Sequence, residues 1–244
     1  ISIKNLRFSY SRGEEVINGI NLEIQPGETI AIVGSTGAGK STLINLLSRF
    51  YEYDSGQLYL DEMSIRDFSI KSLRGHLGVV LQEVFLFADT IFNNITLKNP
   101  DISIEMVKRV AKEIGVDKFI ESLPGGYNYN VKERGAMLSS GQRQLIAFLR
   151  VYISNPSILI LDEATSSVDS NSEELIKIAT SKITKNKTSI IIAHRLSTIK
   201  NADRIVVMDK GKIVEIGTHD DLLKIKGGFY AKLSRIEFLD NVLV

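Results

Sequence analysis

The sequence predicts an α/β protein with a parallel sheet and an inserted helical segment, and three features carry that prediction. Short, continuously apolar runs recur at Thr29–Val33, Ile158–Leu161 and Ser189–Ile192, as strands covered on both faces require. Helical stretches alternate with these runs, the arrangement that builds parallel sheets. Between about residues 83 and 155 strand-like runs give way to helical periodicity.

Taken in order, Ile1 and Ile3, then Leu6 and Phe8, read as a half-buried strand with a slip between the pairs. Ile20, Leu22 and Ile24 alternate more cleanly. Pro26-Gly27 marks a turn. Thr29–Val33 is the first buried strand, and a glycine-rich loop leads from it into a helical pattern from Ser41 to about Phe50. Gly56–Leu60 and Leu77–Leu81 are further strands. Ile104–Ile114 and Gln142–Ile153 carry the helical period in the middle region. Ile205–Met208 and Lys212–Ile216 predict a hairpin across Lys210-Gly211. Thr218 and Asp221 have the spacing of a capping box that opens a C-terminal helix.

Composition removes several function classes. The 244 residues hold 30 Lys+Arg against 29 Asp+Glu, a formal charge of +1, so there is no global field for nucleic acid or an anionic membrane. With no cysteine, disulfides, thiolate zinc sites and thiol nucleophiles are excluded. No apolar stretch approaches the roughly 18 residues that span a bilayer; the run from Val151 to Leu161 is broken by Asn155 and Pro156. The chain starts at Ile1, already in strand-like sequence, and reads as part of a longer protein.

Gly34-Ser35-Thr36-Gly37-Ala38-Gly39-Lys40-Ser41 fits G-x-x-x-x-G-K-[ST], between a buried strand and a helix. Glycines let the backbone wrap a phosphate with its N–H groups turned inward, and the helix N-terminus adds partial positive charge. Lys40 is expected to bridge the β- and γ-phosphates and Ser41 to ligate Mg²⁺; Thr42 is grouped with the same loop. A second motif, Ile158-Leu159-Ile160-Leu161-Asp162-Glu163, delivers two carboxylates at the end of a buried strand, where ligands bind in open α/β sheets. Asp162 is expected to hold Mg²⁺, and Glu163 to polarise an attacking water.

Leu138-Ser139-Ser140-Gly141-Gln142 resembles the LSGGQ signature of ATP-binding cassette (ABC) proteins, with Ser140 in place of the first glycine. Ser139 and the backbone N–H groups of a helix start make a second anion site. The resemblance extends along essentially the whole chain. It implies that Tyr10 stacks on adenine, that Gln82 senses Mg²⁺ and the water, and that His194 contacts the γ-phosphate. Ser139, Gly141 and Gln142 then bind nucleotide from the signature side. Ser166-Ser167-Val168-Asp169 resembles a loop crossing the dimer interface. Glu133-Arg134-Gly135, the segment Gln82 to Ile95, and Val214 to His219 resemble ABC exporters in particular.

The resemblance implies a RecA-like phosphate-loop NTPase core over about residues 1–82 and 156–244, with an antiparallel β portion near the N-terminus and a helical subdomain over about 83–155. It implies ATP and Mg²⁺ as cofactors, and a head-to-tail dimer with a second nucleotide-binding domain, identical or not. It further implies a transmembrane partner domain, encoded upstream in the same polypeptide, at the cytoplasmic face of the membrane. No nucleic-acid partner is expected. The rival class is a non-transport ABC ATPase acting on nucleic acid or ribosomes, against which stand the single cassette and the absence of a long heptad run. A regulator with a dead site is opposed by Glu163 and His194. Two points stay open. Phe85 and Phe87 are either anchors for the membrane domain or core. Ser140, Leu145, Leu149 and Val151, which depart from the family pattern, bear on whether the partner is identical.

Overall fold

The computed structural model describes residues 1–11, 13–162, 170–193 and 196–239. From the N-terminus the chain runs through β1 (Ser2–Phe8), β2 (Ile17–Glu23), β3 (Thr29–Val33), α1 (Lys40–Leu47), β4 (Ser55–Leu60), β5 (Met63–Ser64), α2 (Ile70–His76) and β6 (Leu77–Val80). Four helices follow: α3 (Ile91–Thr96), α4 (Ile104–Ile114), α5 (Asp117–Glu121) and α6 (Ser140–Ser154). The remainder is β7 (Ile158–Asp162), α7 (Ser170–Thr184), β8 (Thr188–Ile192), α8 (Leu196–Lys200), β9 (Arg204–Asp209), β10 (Lys212–Gly217), α9 (His219–Lys224) and α10 (Phe229–Leu239).

The chain divides into two compact units, passing from the first to the second after Leu77 and returning at Ile158. The first unit holds the antiparallel sheet and five of the six strands of the other. In the antiparallel one the strands lie in the order β2-β1-β4-β5. The slip read between Ile3 and Leu6 is a β-bulge: the register shifts there against both neighbours, and Asn5 takes a φ of 46°. Side chains alternate faces with period two, so without the extra residue Ile3 and Leu6 would point apart. With it, Ile3, Leu6 and Phe8 are all buried.

The other sheet runs β10-β9-β3-β8-β7, parallel from β9 to β7. Its central strands are covered throughout, which explains their unbroken apolar runs: Ile30, Ile32, Leu159, Ile160 and Ile190 are fully buried. β9 and β10 form the expected antiparallel hairpin. Its turn residues, Lys210 and Gly211, have φ of 45° and 74°, the left-handed pair that suits a two-residue hairpin. Thr218 caps α9, its hydroxyl accepting from Asp221 N at 3.3 Å. α1 stops earlier than its apolar pattern, at Leu47, because Ser48 caps it and Arg49 turns left-handed at φ 47°.

The second unit is helical. α4 is bounded by the Ser103 hydroxyl, which accepts from Met106 N, and by Gly115 in the left-handed region. α6 ends at Asn155, φ 45°, with Pro156 next. α7 packs on α6 and α4, so this later helix belongs to the helical unit although it follows β7 in the chain. Among the described residues no helix is long and apolar enough to cross a membrane.

Candidate functional site

The phosphate loop lies within the first unit. It leaves β3 at Gly34, where close packing excludes any side chain: a Cβ there would sit 2.2 Å from the Met208 carbonyl oxygen. Ser35, Thr36 and Gly37 form an exposed crest, closed by Ala38 N donating to Ser35 O at 3.1 Å. Ala38, Gly39 and Lys40 turn inward and are buried. The Lys40 ammonium sits inside the loop, donating to Gly34 O at 2.5 Å and Ser35 O at 3.1 Å. α1 then begins with Gly39 as its N-cap, with no side-chain cap and no acid in the first turn. Its first amides therefore carry the positive end of the helix dipole, with no carboxylate in their own turn to offset it. A buried ammonium encircled by backbone, beside such a terminus, fits a polyphosphate.

Asp162 comes to the same edge of the sheet. It is the buried last residue of β7 and lies in register with Ile192 of β8, which is itself in register with Ile32 of β3. Two strand spacings make that about 10 Å, and Ile32 stands just before the loop. A buried carboxylate with the Ser41 hydroxyl is a hard-oxygen donor set of the kind Mg²⁺ uses with substrate phosphates and water.

Tyr10 stands two residues beyond β1 and is 49% exposed. Phe8 and Tyr51 meet its ring edge-on, with centroids at 4.8 and 5.0 Å and interplanar angles of 83° and 87°. Its hydroxyl is hydrogen-bonded to Thr42 Oγ1 at 3.1 Å. Aromatic edges thus hold the platform, and a hydroxyl ties it to the helix of the phosphate loop.

The signature lies in the second unit. Ser139 caps α6, its hydroxyl accepting from Gln142 N at 3.2 Å while the Gln142 side-chain oxygen accepts from Ser139 N at 3.0 Å. Gly141 is buried against this turn, and the first turn again carries no acid. Gln82 also belongs to this unit, exposed, two residues past β6. Beyond it Leu86 is fully buried, whereas Phe85 and Phe87 are 55% and 54% exposed and stand edge-on at 5.1 Å. That removes the core reading for these two rings. Leu145, Leu149 and Val151, by contrast, are buried in the helical unit. Their departure from the family pattern is accounted for by packing within this chain.

The sequence profile of the ABC transporter family matches residues 17–166, more than half of the chain. The chain belongs to the ABC transporter family. It is 47% identical over 98% of its length to the ATP-dependent lipid A-core flippase of Chromobacterium violaceum. It is likewise 47% identical over 91% of its length to YgaD of Bacillus subtilis, a candidate multidrug export ATP-binding/permease protein. A solved structure of a bacterial Atm1-family ABC exporter with ATP bound superposes with a TM-score of 0.89 at 40% identity, covering 97% of this chain. The chain spans 41% of the flippase, 39% of YgaD and 41% of the exporter chain, so it corresponds to about two fifths of each. The RecA-like core with an antiparallel β portion, expected of an ABC cassette, is the fold observed.

Glu163, His194 and the segment Ser166-Ser167-Val168-Asp169 lie outside the described residues. Other groups at the site were not singled out by motif. Gly211, read from sequence as a hairpin-turn residue, is one: its N–H donates to Ala38 O at 3.1 Å, and a Cβ there would meet Val16 O at 2.4 Å. The hairpin turn thus props the phosphate loop of this ABC domain from below, a contact between residues 173 positions apart that no local pattern announces. Tyr51 could have been suspected from its place in an aromatic run, Phe50-Tyr51, but not its contact with Tyr10.

Proposed function

We propose that this chain is the ATP-binding and ATP-hydrolysing part of an ABC exporter, which closes on a second such domain around ATP and so drives alternating access of a transmembrane domain. The observation that carries the reading is the pair of phosphate-type helix starts, α1 and α6, in separate units, neither with an acid in its first turn. One start is suited to the nucleotide held by this chain, the other to the nucleotide held by the partner. Nucleotide then acts as a ligand that favours the closed pair, and its hydrolysis resets the equilibrium.

In this reading Lys40 exchanges its two loop carbonyls for β- and γ-phosphate oxygens, a move of one side chain with no change of fold. Gly34 to Ser41 offer backbone N–H groups to the same phosphates, Thr42 stays beside them, and Tyr10 supplies a face for adenine. Ser41 and Asp162, both of the first unit, are the residues that would hold Mg²⁺, which when bound offsets charge on the phosphate oxygens; the role the resemblance gives Gln82, of the second unit, is to sense that ion. Glu163 orients the water and takes its proton, while His194 donates to the γ-phosphate. Ser139, Gly141 and Gln142 serve the nucleotide of the partner domain. The Ser139 hydroxyl already accepts from Gln142 N, so the proton it carries is what it offers to an anion.

The partner domain, identical or not, lies at the cytoplasmic face of a membrane, and the transmembrane domain precedes this chain in the same polypeptide. The relative named as an ATP-binding/permease protein, and the two fifths of the relatives' length that this chain spans, support that arrangement. Phe85 and Phe87 are the exposed aromatic anchors for the membrane domain, of the kind that dominate interfaces. A net charge of +1 gives no support to a nucleic-acid partner.

The test is ATP turnover with Mg²⁺. Glu163→Gln should lower it by about 10²–10⁴-fold, the scale of a lost general base, while ATP is still bound. Undiminished turnover in that variant removes Glu163 from the mechanism, and a chain that binds no ATP ends the reading.

A further inference from the structure

Arg150 sits three turns along α6 from the signature serine, about 16 Å at the rise of an α-helix, and it reaches out of its own helix. Its Nε donates to the Asn94 carbonyl at 2.9 Å, and Nη1 approaches the Phe85 carbonyl at 3.5 Å. Nη2 is enclosed and has no hydrogen-bond partner among the described residues. Burial holds the guanidinium pKa below its ordinary value. An incompletely paired, desolvated cation is a weak source of stability, so its role is better sought in what it positions.

What it positions is the exposed aromatic pair. Asn94 is fully buried, and its amide grips one residue from both sides: Oδ1 accepts from Phe87 N at 2.8 Å, and Nδ2 donates to Phe87 O at 3.0 Å. Arg150 therefore holds Phe85 directly and Phe87 through Asn94. A second tie is apolar. A Cβ on Gly135 would meet Leu86 Cδ1 at 2.9 Å and Arg143 Cδ at 3.0 Å, so Leu86, Gly135 and the first turn of α6 are packed without slack. Arg143 in turn donates to Leu138 O at 2.6 Å, next to the helix cap.

We propose that Arg150 is a positioning residue that pins the Phe85–Phe87 aromatic pair to the signature helix, so that displacement of α6 by nucleotide at its N-terminus is delivered to those two rings. The inference rests on the proposed ATP-driven closure. It adds the mechanical link: one guanidinium spanning two backbone carbonyls, with the buried Asn94 amide as its extension. The planar fork matters because an ammonium is a point donor that cannot span both carbonyls with fixed geometry.

The absence of cysteine makes a direct test clean. Phe85→Cys, carrying a nitroxide spin label, reports the mobility of the pinned segment, and Met137→Cys, exposed in the same unit, serves as control. In Arg150→Met the label at 85 should tumble at least about twofold faster without nucleotide, the label at 137 should not change, and ATP affinity should stay within about twofold. Arg150→Lys should fall between. An unchanged label at 85 in a cooperatively folded Arg150→Met overturns the proposal. If that variant does not fold, Arg150→Lys is read alone, and no loosening there overturns it equally. In a Glu163→Gln background ATP should change the spectrum at 85, and Arg150→Met should abolish that change. A response that survives, or none in the parent although ATP binds, defeats the relay. A parent that binds no ATP defeats the nucleotide reading instead, while the nucleotide-free comparison still judges the pin.

Discussion

Helices α1 and α6 both begin at a phosphate-type motif, yet their first turns are satisfied differently. α1 follows Gly39, which has no side chain to cap it, and the charge nearest its start, the Lys40 ammonium, is turned onto the loop's own carbonyls. α6 follows Ser139 and is closed by a reciprocal capping box with Gln142. A helix start normally leaves its first amides without intrahelical partners. In α6 the Ser139–Gln142 box supplies part of what is missing, whereas α1 has no side-chain cap. The phosphate loop is therefore built to bind by itself, and the signature is built to be rigid before anything reaches it. Under the proposed function this would order events: nucleotide would associate with the first unit, and the signature of a partner would join a site already filled.

The largest effect should come from breaking the open side. Lys40→Ala removes charge-assisted hydrogen bonds worth about 1.5–3 kcal/mol each, so the ATP dissociation constant should rise at least tenfold to a hundredfold. Titration calorimetry on the chain checks this. The matched change on the closed side, Ser139→Ala, should leave ATP affinity of the single chain within about twofold. Equal losses of affinity in the two variants would end the proposed order of events.

Tyr10 sharpens the same contrast, because it belongs to the open side. Tyr10→Ala should weaken ATP binding by about 1–3 kcal/mol, the range of base–aromatic stacking. Sequence alone suggests that Tyr10→Phe is nearly silent. The hydroxyl bond to Thr42 at 3.1 Å changes that expectation: losing it should cost about 0.5–1.5 kcal/mol, since the ring is no longer tied to the phosphate-loop helix. Fluorescent nucleotide titration separates the outcomes. Equal damage from Tyr10→Phe and Tyr10→Ala would mean that the hydroxyl, not the ring face, carries the affinity.

The contrast also marks how much could be read without coordinates. The buried strands, the loop between β3 and α1, the hairpin and the Thr218 cap were legible because each is a local pattern: an apolar run, a glycine spacing, a threonine three residues before an aspartate. Even the bulge at Asn5 showed as a break in alternation. What escaped was long-range. Nothing near Gly211 indicates that it lies under Ala38, nothing near Arg150 indicates that it reaches Phe85, and nothing after β7 indicates that α7 packs with the helical unit. Leu145, Leu149 and Val151 looked like departures at an interface because a family pattern records residue types, whereas burial decides what a residue type is for.

A smaller effect tests the rigidity of the closed side. Ser139→Ala deletes the cap of α6 and leaves Gln142 N without its acceptor, which should cost about 0.5–2 kcal/mol of stability. At about 2–4 °C per kcal/mol for a domain of 150–250 residues, thermal unfolding should resolve it. ATP turnover should fall further than stability accounts for if, as proposed, the same hydroxyl serves the partner's γ-phosphate. A variant that loses stability yet keeps full turnover would assign Ser139 to capping alone.

The smallest effect concerns Ser140, where the signature departs from the family pattern. A bulky residue there would hold the partner's nucleotide away from the helix start, since glycine permits the closest backbone approach. In this chain the departure leaves the helix start undisturbed: Ser140 is the first residue of α6, and both bonds of the capping box around it are made. The buried leucines and valine behind it add no argument for an unlike partner. Ser140 is only partly exposed and lies in the first turn of α6. Ser140→Gly should therefore cost about 0.5–1 kcal/mol of stability, glycine's disadvantage in a helix, and change ATP turnover by less than about twofold, as in a pair of identical domains with two working sites. A rise of tenfold or more would mean that the serine Cβ had been restraining the site opposite. It would then follow that this chain works beside a partner whose own signature faces Glu163, leaving the site opposite Ser140 slow.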